Sequence, residues 1–512
     1  MSKKLHNIKK SLNEDLSEII ERHVPDYSSF RILRKSVDAR KRHDLKEVYS
    51  LEVFENGEEA ITDHFPVDSL NSFKGQKPII VGSGPAGLFC ALRLVERGIP
   101  CILLERGSEC SKRMLKINRY WRYGEISEDD NVCFGEGGAG LYSDGKLITR
   151  IKSDYIPYVM DRLIQFGAPE EIRYLANPHV GSDRIRRVIP KMRAYLQEKG
   201  CEIHFNSKVE SLIFNNETVN GVISSDGRKF LSDHVVLATG HSANDMFHHL
   251  KDSNVHLEGK SFAMGLRVEH PQKLINKIQY RQHAEHPSLG SANYKLTYNN
   301  KEDNFGVYSF CMCPGGYVLS SGTESTGIVS NGMSNYNRNS PWANAAVVVT
   351  FDYEKHFGNE LFSGLDFRTK LEEKSLHAVQ KSGGDKQLPG QRVVDFLENK
   401  KGELTKSSCP SGLASVNLNE LLPTYMSESL KEGLTSFHQK MQGFAGEEAQ
   451  LIGVETRTSC PIRVTRDVDS LESISHSGLY PTGEGAGYAG GITSAAIDGI
   501  KVAEKIYSKY KP

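Results

Sequence analysis

The sequence predicts an α/β protein organised on a parallel sheet. A short apolar run enters a Gly-x-Gly-x-x-Gly turn at Gly82, Gly84 and Gly87, after which apolar residues recur at helical spacing. A second apolar run ends at Glu105, 23 positions after Gly82, and a third, residues 233–240, ends in small residues. Strand, glycine turn, helix, strand and acid in this order are typical of a dinucleotide-binding unit.

Each glycine of this unit has a separate physical task. Gly82 allows a tight turn at the end of the strand, Gly84 lets the backbone approach a pyrophosphate, and Gly87 lets the helix pack closely on the strand. The N–H groups at the start of the helix then face the phosphates. We expect the Glu105 carboxylate to accept hydrogen bonds from ribose hydroxyls. Two further matches to the glycine pattern in this chain lack the full strand, helix and acid context.

Length and charge limit the number of domains and the kind of partner. A chain of 512 residues exceeds what one core usually supports, so we expect two or three domains. Its 64 basic and 64 acidic residues balance, which favours a small-molecule substrate over nucleic acid. The nine cysteines show neither a disulfide framework nor a zinc signature, and no metal site is predicted. No apolar run approaches the roughly 20 residues of a membrane span, and we expect a cytoplasmic protein.

Residues 1–74 are predicted to form a small α+β appendage. Ser11 and Glu14 have the spacing of a capping box, and an apolar helix face follows before Pro25. Two strands are expected next, separated by a basic segment at residues 34–42. Such a segment could bind an anion or RNA, but a solvated loop is favoured because no aromatic residues interleave with the charges.

Residues 75–245 and 456–512 are predicted to form one discontinuous domain. Beyond the dinucleotide unit comes a glycine-rich loop, residues 131–146, whose backbone can approach a flat or anionic ligand. Two helices are expected after it, at residues 155–165 and 184–197. The four strands of a β-meander are expected next, at residues 201–205, 208–214, 219–224 and 229–231. The last glycine-rich segment ends at Gly491 and leads into a helix with a small-residue face, so a second helix N-terminus faces a ligand.

Residues 246–455 have a different sequence pattern and are predicted to be an inserted α+β domain that encloses a substrate. Strands there mix with polar loops and helices. The expected strands lie at residues 261–269, 305–311 and 345–353. The expected helices lie at residues 370–380 and 427–442.

Several separated motifs together resemble one family. The glycine unit, Glu105, the strand end Ala238-Thr-Gly240 and the C-terminal Gly483-Glu-Gly485 occur in the order seen in two-dinucleotide-fold flavoproteins related to glutathione reductase. Within that group the chain is more closely similar to a family of bacterial FAD-dependent dehydrogenases of unassigned substrate. The motifs shared with this family begin at Phe134, Asn177, Leu237, Phe262, Cys311 and Gly483. The resemblance implies a Rossmann-like FAD-binding domain of three-layer β-β-α/β architecture, with the inserted domain covering the flavin.

The resemblance also implies which residues hold FAD. The glycine turn would bind the pyrophosphate, Glu105 the adenosine ribose and the Val209 backbone the adenine, while Glu484 stands where an aspartate is more common. The backbone of Gly491 and Ile492 would stabilise negative charge at the flavin N1–C2=O end. The implied FAD contacts are Gly82, Ser83, Gly84, Pro85, Ala86, Gly87, Glu105, Arg106, Gly137, Gly138, Ala139, Val209, Thr239, Gly240, Gly483, Glu484, Gly491 and Ile492.

The sequence gives fewer indications of the catalytic residues than of the cofactor site. The candidates for a proton donor or acceptor are Asp144 and Lys146 in the glycine-rich loop, and Cys311 and Cys313 in a predicted strand. For the cysteine pair, simple packing is favoured. Residues 246–455 contain no second dinucleotide unit, and no redox-active Cys-x-x-Cys follows the first helix, which argues against a disulfide reductase. NAD(P)H is a candidate external electron donor.

Three functional hypotheses follow. The leading one is a FAD-dependent dehydrogenase or reductase that transfers a hydride through flavin N5 to or from a small organic substrate. The second is a non-redox enzyme that uses NAD in the same fold. The third is a flavin-bound interaction or sensor protein that contacts its partner through residues 34–42. The sequence carries no mark of substrate identity or oligomeric state.

Overall fold

The N-terminal part of the chain is a small antiparallel sheet with one helix. A computed structural model describes residues 2–40, 44–55, 57–58 and 68–511. The first elements are β1 (Ser2–Ser11), α1 (Leu16–His23), β2 (Tyr27–Asp38) and β3 (Lys46–Glu55). The strands lie in the order β1-β3-β2, and Ile20 of α1 packs with Leu51 and Val53 of β3.

The capping box predicted at Ser11 is wrong. Strand β1 extends through Ser11, so the chain is still extended where the box requires a helix to start. The helix cap is Asp15, whose carboxylate accepts a hydrogen bond from the Ser17 N–H at 2.6 Å. The Glu14 carboxylate does accept from the Ser11 N–H at 2.7 Å, but this bond closes the turn between strand and helix.

The loop predicted for the basic segment is also wrong for residues 34–38. Residues 34–38 continue β2, because this strand pairs with β3 over its full remaining length. Lys35 Nζ lies 2.8 Å from Glu47 Oε1, so one of the basic side chains is neutralised inside the sheet. Residues 41 and 42 of the segment lie outside the described residues.

The nucleotide-binding part begins with the strand, helix and strand expected around the glycine turn. These are β4 (Ile79–Val81), α2 (Pro85–Glu96) and β5 (Ile102–Leu104). The elements that follow are α3 (Cys110–Tyr123), α4 (Tyr155–Gln165), α5 (Ser182–Glu198), β6 (Glu202–His204), β7 (Val209–Asn215), β8 (Thr218–Ser224), β9 (Lys229–Leu231), β10 (Val235–Leu237) and α6 (Asn244–Asp252). Helix α3 is not predicted from the sequence, because its buried face includes an arginine.

The middle of the chain alternates strands and helices before the chain returns to the nucleotide-binding part. Its elements are β11 (Leu257–Gly259), β12 (Phe262–Pro271), α7 (Gln272–Tyr280), β13 (Thr297–Asn300), β14 (Phe305–Cys313), β15 (Gly316–Ser320), β16 (Ser330–Ser334), β17 (Trp342–Phe351), α8 (Tyr353–Phe357), α9 (Ser363–Lys381), β18 (Leu388–Arg392), α10 (Val393–Leu397), β19 (Leu413–Ser415), α11 (Leu418–Leu421), α12 (Thr424–Lys440), β20 (Gln450–Glu455) and β21 (Ile462–Val464). The return is made by β22 (Leu479–Pro481) and α13 (Ile492–Tyr510).

A five-stranded parallel sheet in the order β22-β10-β4-β5-β6 organises the nucleotide-binding part. The α/β class with a parallel sheet is therefore confirmed. Strand β6 is assigned to the meander from the sequence, but it pairs with β5, and only β7, β8 and β9 form the meander. The carboxyl ends of β4, β5, β10 and β22 meet at one edge of the sheet, where α/β proteins bind their ligands.

A seven-stranded sheet in the order β13-β14-β17-β12-β20-β18-β19 organises the middle of the chain. One face buries Val307, Val347 and Val349 against α12 and its neighbours. The opposite face carries small residues, with the rings of Tyr308 and Phe310 packed against them. The predicted domain boundaries near residues 74, 245 and 455 stay predictions.

Candidate functional site

The glycine turn between β4 and α2 is packed so tightly that it requires glycine. Gly82 has a φ of +104°, and a Cβ there would lie 2.4 Å from the Ala238 carbonyl oxygen. A Cβ on Gly87 would lie 1.9 Å from the Gly82 carbonyl oxygen, so α2 passes directly behind the turn. Gly84 is the N-cap of α2, so no side chain competes with a ligand for the N–H groups of the first turn.

The Glu105 carboxylate is buried at the end of β5 and binds the glycine turn itself. Its Oε2 accepts hydrogen bonds from the Ser83 N–H at 2.8 Å and from the Ser83 hydroxyl at 2.6 Å. Its Oε1 accepts from the N–H groups of Gly107 and Gly135, each at 3.0 Å. Four donors fill the acceptor positions of a carboxylate. Glu105 therefore fixes the turn against the glycine-rich loop, and its contact with a ribose stays a prediction.

The glycine-rich loop lies between the two helices that start at this edge. The Gly137 N–H donates to the Ser83 carbonyl oxygen at 3.0 Å, which joins the loop to the glycine turn. A Cβ on Gly140 would lie 3.3 Å from a side-chain carbon of Ile492 and 3.6 Å from one of Pro85. The loop thus contacts the first turn of α2 and the first turn of α13 together.

A buried arginine on α3 holds the glycine-rich loop in place. The Arg113 side chain is fully buried. Its guanidinium donates at 2.7–3.3 Å to five backbone carbonyl oxygens, those of Asn131, Val132, Gly135, Glu136 and Gly138. Sequence reasoning missed this residue, because a single arginine on a largely polar helix gives no periodic signal.

The N-terminus of α13 opens onto free space. Its N-cap is Gly491, which offers no capping side chain. A Cβ placed on Gly240, Gly490 or Gly491 would meet no atom within 4 Å. The Thr493 hydroxyl donates to the Leu147 carbonyl oxygen at 2.8 Å, which ties the start of the helix to the end of the glycine-rich loop.

Glu484 and His241 face each other at the same edge. His241 Nε2 lies 3.6 Å from Glu484 Oε1, and His241 Nδ1 is buried with no hydrogen-bond partner in the described part of the chain. Burial raises the pKa of Glu484 to about 7, against the opposing charge of Lys260, although the side chain is 29% exposed. Burial, followed by the charges of Arg368 and Arg457, lowers the pKa of His241 to about 3. This carboxyl is therefore desolvated although part of it remains accessible.

The other predicted FAD contacts surround this edge. Thr239 follows β10 and Gly483 follows the neighbouring strand β22, while Val209 is buried at the start of β7. Arg106 follows β5 and forms ion pairs at 2.8 and 2.9 Å with aspartates from two other segments. The residues of the turn and loop that complete the set are Ser83, Pro85, Ala86, Gly137, Gly138 and Ala139.

The four candidates for a proton role have different surroundings. Asp144 is buried in an ion pair with Arg338, with contacts at 2.5 and 3.1 Å. Cys313 is buried, and its thiol donates to the Cys311 carbonyl oxygen at 3.2 Å. Lys146 donates to the main chain of β14. Cys311 is exposed, although burial of its thiol raises the pKa to about 12 against the opposing charge of Lys146.

A buried charged network joins α9 to this edge. Glu372 forms an ion pair with Arg457 at 2.8 Å and lies 4.0 Å from Arg368. Arg368 donates to the His241 carbonyl oxygen at 3.3 Å and to the Asn244 side-chain oxygen at 2.6 Å. One carboxylate thus contacts two buried guanidinium groups. The sequence carries no signal for this network, because its members come from distant segments.

These features fit FAD. Two helix N-termini capped by glycine supply N–H groups for a diphosphate and for the electron-rich end of a ring. The open space at Gly240, Gly490 and Gly491, which a Cβ would enter, leaves room for a ligand against the backbone. Within the described ranges, no group of three or more His, Cys, Asp or Glu side chains is arranged to hold a metal ion. No helix in those ranges has both the length and the apolar character needed to cross a bilayer.

The fold and this site define a flavoprotein whose dinucleotide-binding unit is β4, α2 and β5. A family model described as glucose inhibited division protein A matches residues 77–281, and one described as FAD-dependent protein, C-terminal domain-like, matches residues 261–458. An uncharacterised protein of Clostridium beijerinckii is 41% identical over 535 residues, which cover 100% of this chain and 99% of that protein. The chain belongs to the same family of FAD-dependent oxidoreductase-type proteins, and FAD is its cofactor.

Solved flavoprotein structures are similar to this chain at low identity. CtdE in complex with FAD is 14% identical, covers 84% of each chain and has a TM-score of 0.32. An L-amino acid deaminase from Proteus myxofaciens is 12% identical, covers 88% of this chain and 94% of its own, and has a TM-score of 0.34. The halogenase PltM is 10% identical, covers 85% and 68%, and has a TM-score of 0.37. Because these scores are low, the family assignment rests on the relative and the family models.

Proposed function

We propose that the protein is a FAD-dependent dehydrogenase or reductase that transfers a hydride through flavin N5 to or from a small organic substrate. The observation that carries this proposal is the exposed glycine N-cap of α13, Gly491, which has open space beside it. Two further side chains, Glu484 and Cys311, are partly or fully exposed. The glycine-rich loop links them, because it contacts the start of α13 and the main chain of β14.

In this proposal the chain orients the cofactor and the substrate, while bound FAD supplies the two-electron chemistry. The N–H groups at the start of α13 would stabilise the negative charge that reduction places on the flavin. Lys146 and Cys311 face the substrate. Asp144, held by Arg338, fixes the loop that carries Lys146 and keeps its geometry when substrate enters.

Anaerobic reduction of the purified holoprotein tests the proposal. We expect a yellow protein whose visible flavin bands bleach with NADH or NADPH and return slowly when oxygen is admitted. Parallel assays with the two nucleotides identify the donor. A protein that carries FAD but is reduced by neither nucleotide nor by any organic substrate would contradict an oxidoreductase role.

The two alternative hypotheses have less support. FAD as the family's cofactor removes the basis for a non-redox enzyme that uses NAD in this site. The sensor hypothesis needs free basic groups in residues 34–42. Of these, Lys35 is paired with Glu47, and Arg40 is paired with Asp38 at 2.6 Å.

A cytoplasmic location belongs to the same proposal. All nine cysteines are free thiols. Cys101 and Cys201 form no disulfide, and the Cys101 thiol donates a hydrogen bond to the Cys201 sulfur at 3.5 Å. Cysteines that stay free are typical of a reducing compartment.

A further inference from the structure

A surface cavity lies between α4, α13 and the loops on either side of β22. Its volume is about 390 Å³, which is within the range of small-molecule sites. Lys501 in its wall lies nine residues after Ile492, so the cavity is roughly 13 Å along α13 from the N-terminus of that helix. It is therefore separate from the edge that carries the glycine turn.

Two lysines of α13, Lys501 and Lys505, line the cavity. Both are exposed, and they lie about one helical turn apart, which places their side chains next to each other. Within the described ranges neither ammonium group forms an ion pair or a hydrogen bond with the protein. Like charges at this spacing repel each other, and an anion held between them removes that repulsion.

Glu504 is the carboxylate among the lining groups, and it is already neutralised. Its Oε2 lies 2.8 Å from the guanidinium of Arg97, and Arg93 donates to its Oε1. The lining residue Arg466 is likewise paired with Asp498 at 2.6 Å. With these groups balanced, the two lysines give the cavity a net positive charge, which raises the local concentration of anions.

Two aromatic rings form another part of the wall. Tyr155 at the start of α4 and Tyr488 after β22 are both half-buried. The Tyr488 ring is fixed, because the Arg466 guanidinium lies 3.9 Å from its centroid and the Arg466 N–H donates to its hydroxyl at 3.0 Å. A ligand here would meet ammonium groups and aromatic surface together.

The turn between β21 and β22 adds aliphatic surface. Val468 lines the cavity and is 84% exposed, although it is apolar. Leu471, which also lines it, has a φ of +63°. A non-glycine residue is strained in that region, and such strain is concentrated at ligand sites. The Asp467 carboxylate is turned to its own backbone, where it accepts from the Ser470 N–H at 2.7 Å, and it does not line the cavity.

We propose that this cavity binds a phosphate monoester with a flat apolar body. Lys501 and Lys505 contact the phosphate, while Tyr155 and Tyr488 contact the body. An ammonium group binds phosphate as a point charge, whereas bidentate recognition of a carboxylate uses a guanidinium. The guanidinium in this wall, that of Arg466, is already bound to an aspartate. The site is additional to the proposed flavin chemistry.

Titration calorimetry of the holoprotein with β-naphthyl phosphate tests this. We expect it to bind about tenfold more tightly than β-naphthol, which lacks the anion, and than inorganic phosphate, which lacks the apolar body. β-Naphthoate should also bind more weakly, because it offers a carboxylate to a wall whose guanidinium is paired. Equal binding of β-naphthol, inorganic phosphate or β-naphthoate would overturn the proposal.

Substitutions locate the two parts of the site. Lys501→Gln and Lys505→Gln should each weaken the binding of β-naphthyl phosphate about tenfold, whereas Lys370→Gln, at an exposed position of α9, should not. Val468→Ser should weaken the binding of the ester and leave that of inorganic phosphate unchanged. An unaltered flavin spectrum and unfolding temperature show that a variant is folded. An equal effect of Lys370→Gln would assign the binding to general surface charge and overturn the proposal.

A protection experiment needs no variant. Saturating β-naphthyl phosphate should slow the acetylation of Lys501 and Lys505 by an N-hydroxysuccinimide ester, read by peptide mass spectrometry, and leave that of Lys370 unchanged. Equal protection of all three lysines, or of none, would contradict a site in this cavity. These measurements do not use turnover, so their failure is distinguishable from failure of flavin reduction.

Discussion

We expect Glu484 to make the binding of FAD dependent on pH. Burial raises its pKa from the ordinary 4.5 to about 7, so the folded protein binds this proton more tightly than the unfolded chain does. Its contribution to stability is therefore full at or below about pH 4.5 and is lost as pH rises through about 7. A charged carboxylate also repels a nearby diphosphate. We expect the FAD affinity of the apoprotein to fall by at most about tenfold per pH unit above about pH 7.

Fluorescence titration with FAD at several pH values checks this expectation. Glu484→Gln should remove the fall, because an amide does not ionise. Glu447→Gln, at an exposed carboxylate, is the matched control and should retain it. If the Glu484→Gln protein kept the full pH dependence, a different group would be responsible.

Arg113 is the residue whose loss should most disturb the glycine-rich loop. Lysine keeps the charge but cannot reach five carbonyl oxygens with one ammonium group. We expect Arg113→Lys to lower the free energy of unfolding by on the order of 3 kcal/mol and to weaken FAD binding. Chemical denaturation and FAD titration measure the two effects. Arg119→Lys, exposed on the same helix, should change neither, and equal effects from both variants would contradict this role.

The crossing of α2 and α13 depends on one small residue. A Cβ on Gly499 would lie 2.0 Å from the Ala86 carbonyl oxygen, so alanine there pushes the helices apart. In an exposed helix, Gly→Ala would gain up to about 1 kcal/mol from helix propensity. We expect Gly499→Ala to be destabilising by about 1–3 kcal/mol instead, because overlap with backbone outweighs propensity. It should also weaken FAD binding, since both helix N-termini move.

Thermal unfolding and FAD titration measure these changes. Ser508→Ala, at an exposed position of α13, is the control and should leave both unchanged. A Gly499→Ala protein with higher stability would show that the helices can separate at no cost.

The Glu372 network couples the two large sheets of the molecule. Removing its carboxylate leaves Arg368 and Arg457 buried without their common anion. We expect Glu372→Gln to reduce the free energy of unfolding by about 3–5 kcal/mol. Because Arg368 also contacts His241 and Asn244, flavin should be released at a lower temperature than in the unaltered protein.

Scanning calorimetry together with flavin fluorescence follows unfolding and release in one experiment. Glu373→Gln replaces the exposed neighbouring carboxylate and should behave like the unaltered protein. Loss of stability without earlier flavin release would show that the network stabilises only the middle of the chain and does not act on the flavin site.

Local features of the nucleotide-binding part are predictable, because their causes act over short distances along the chain. The strand, turn, helix and strand around Gly82 follow from steric demands and periodicity, and the helix expected at residues 155–165 coincides with α4. Strand β6 shows the limit of this reasoning. Its length and position are close to the prediction, but a short apolar run does not specify which strand pairs with it.

The sequence by itself determined the α/β class, the glycine turn and the acid at Glu105, because each depends on backbone geometry that only certain residue types allow. Tertiary structure alone decided which charged groups have which partners. The Glu105 oxygens accept hydrogen bonds from the glycine turn and the glycine-rich loop, and Arg113 donates to that loop. Lys146 donates to β14, 166 residues further along the chain. The strength of such contacts depends on distance and burial, which no pattern along the chain contains.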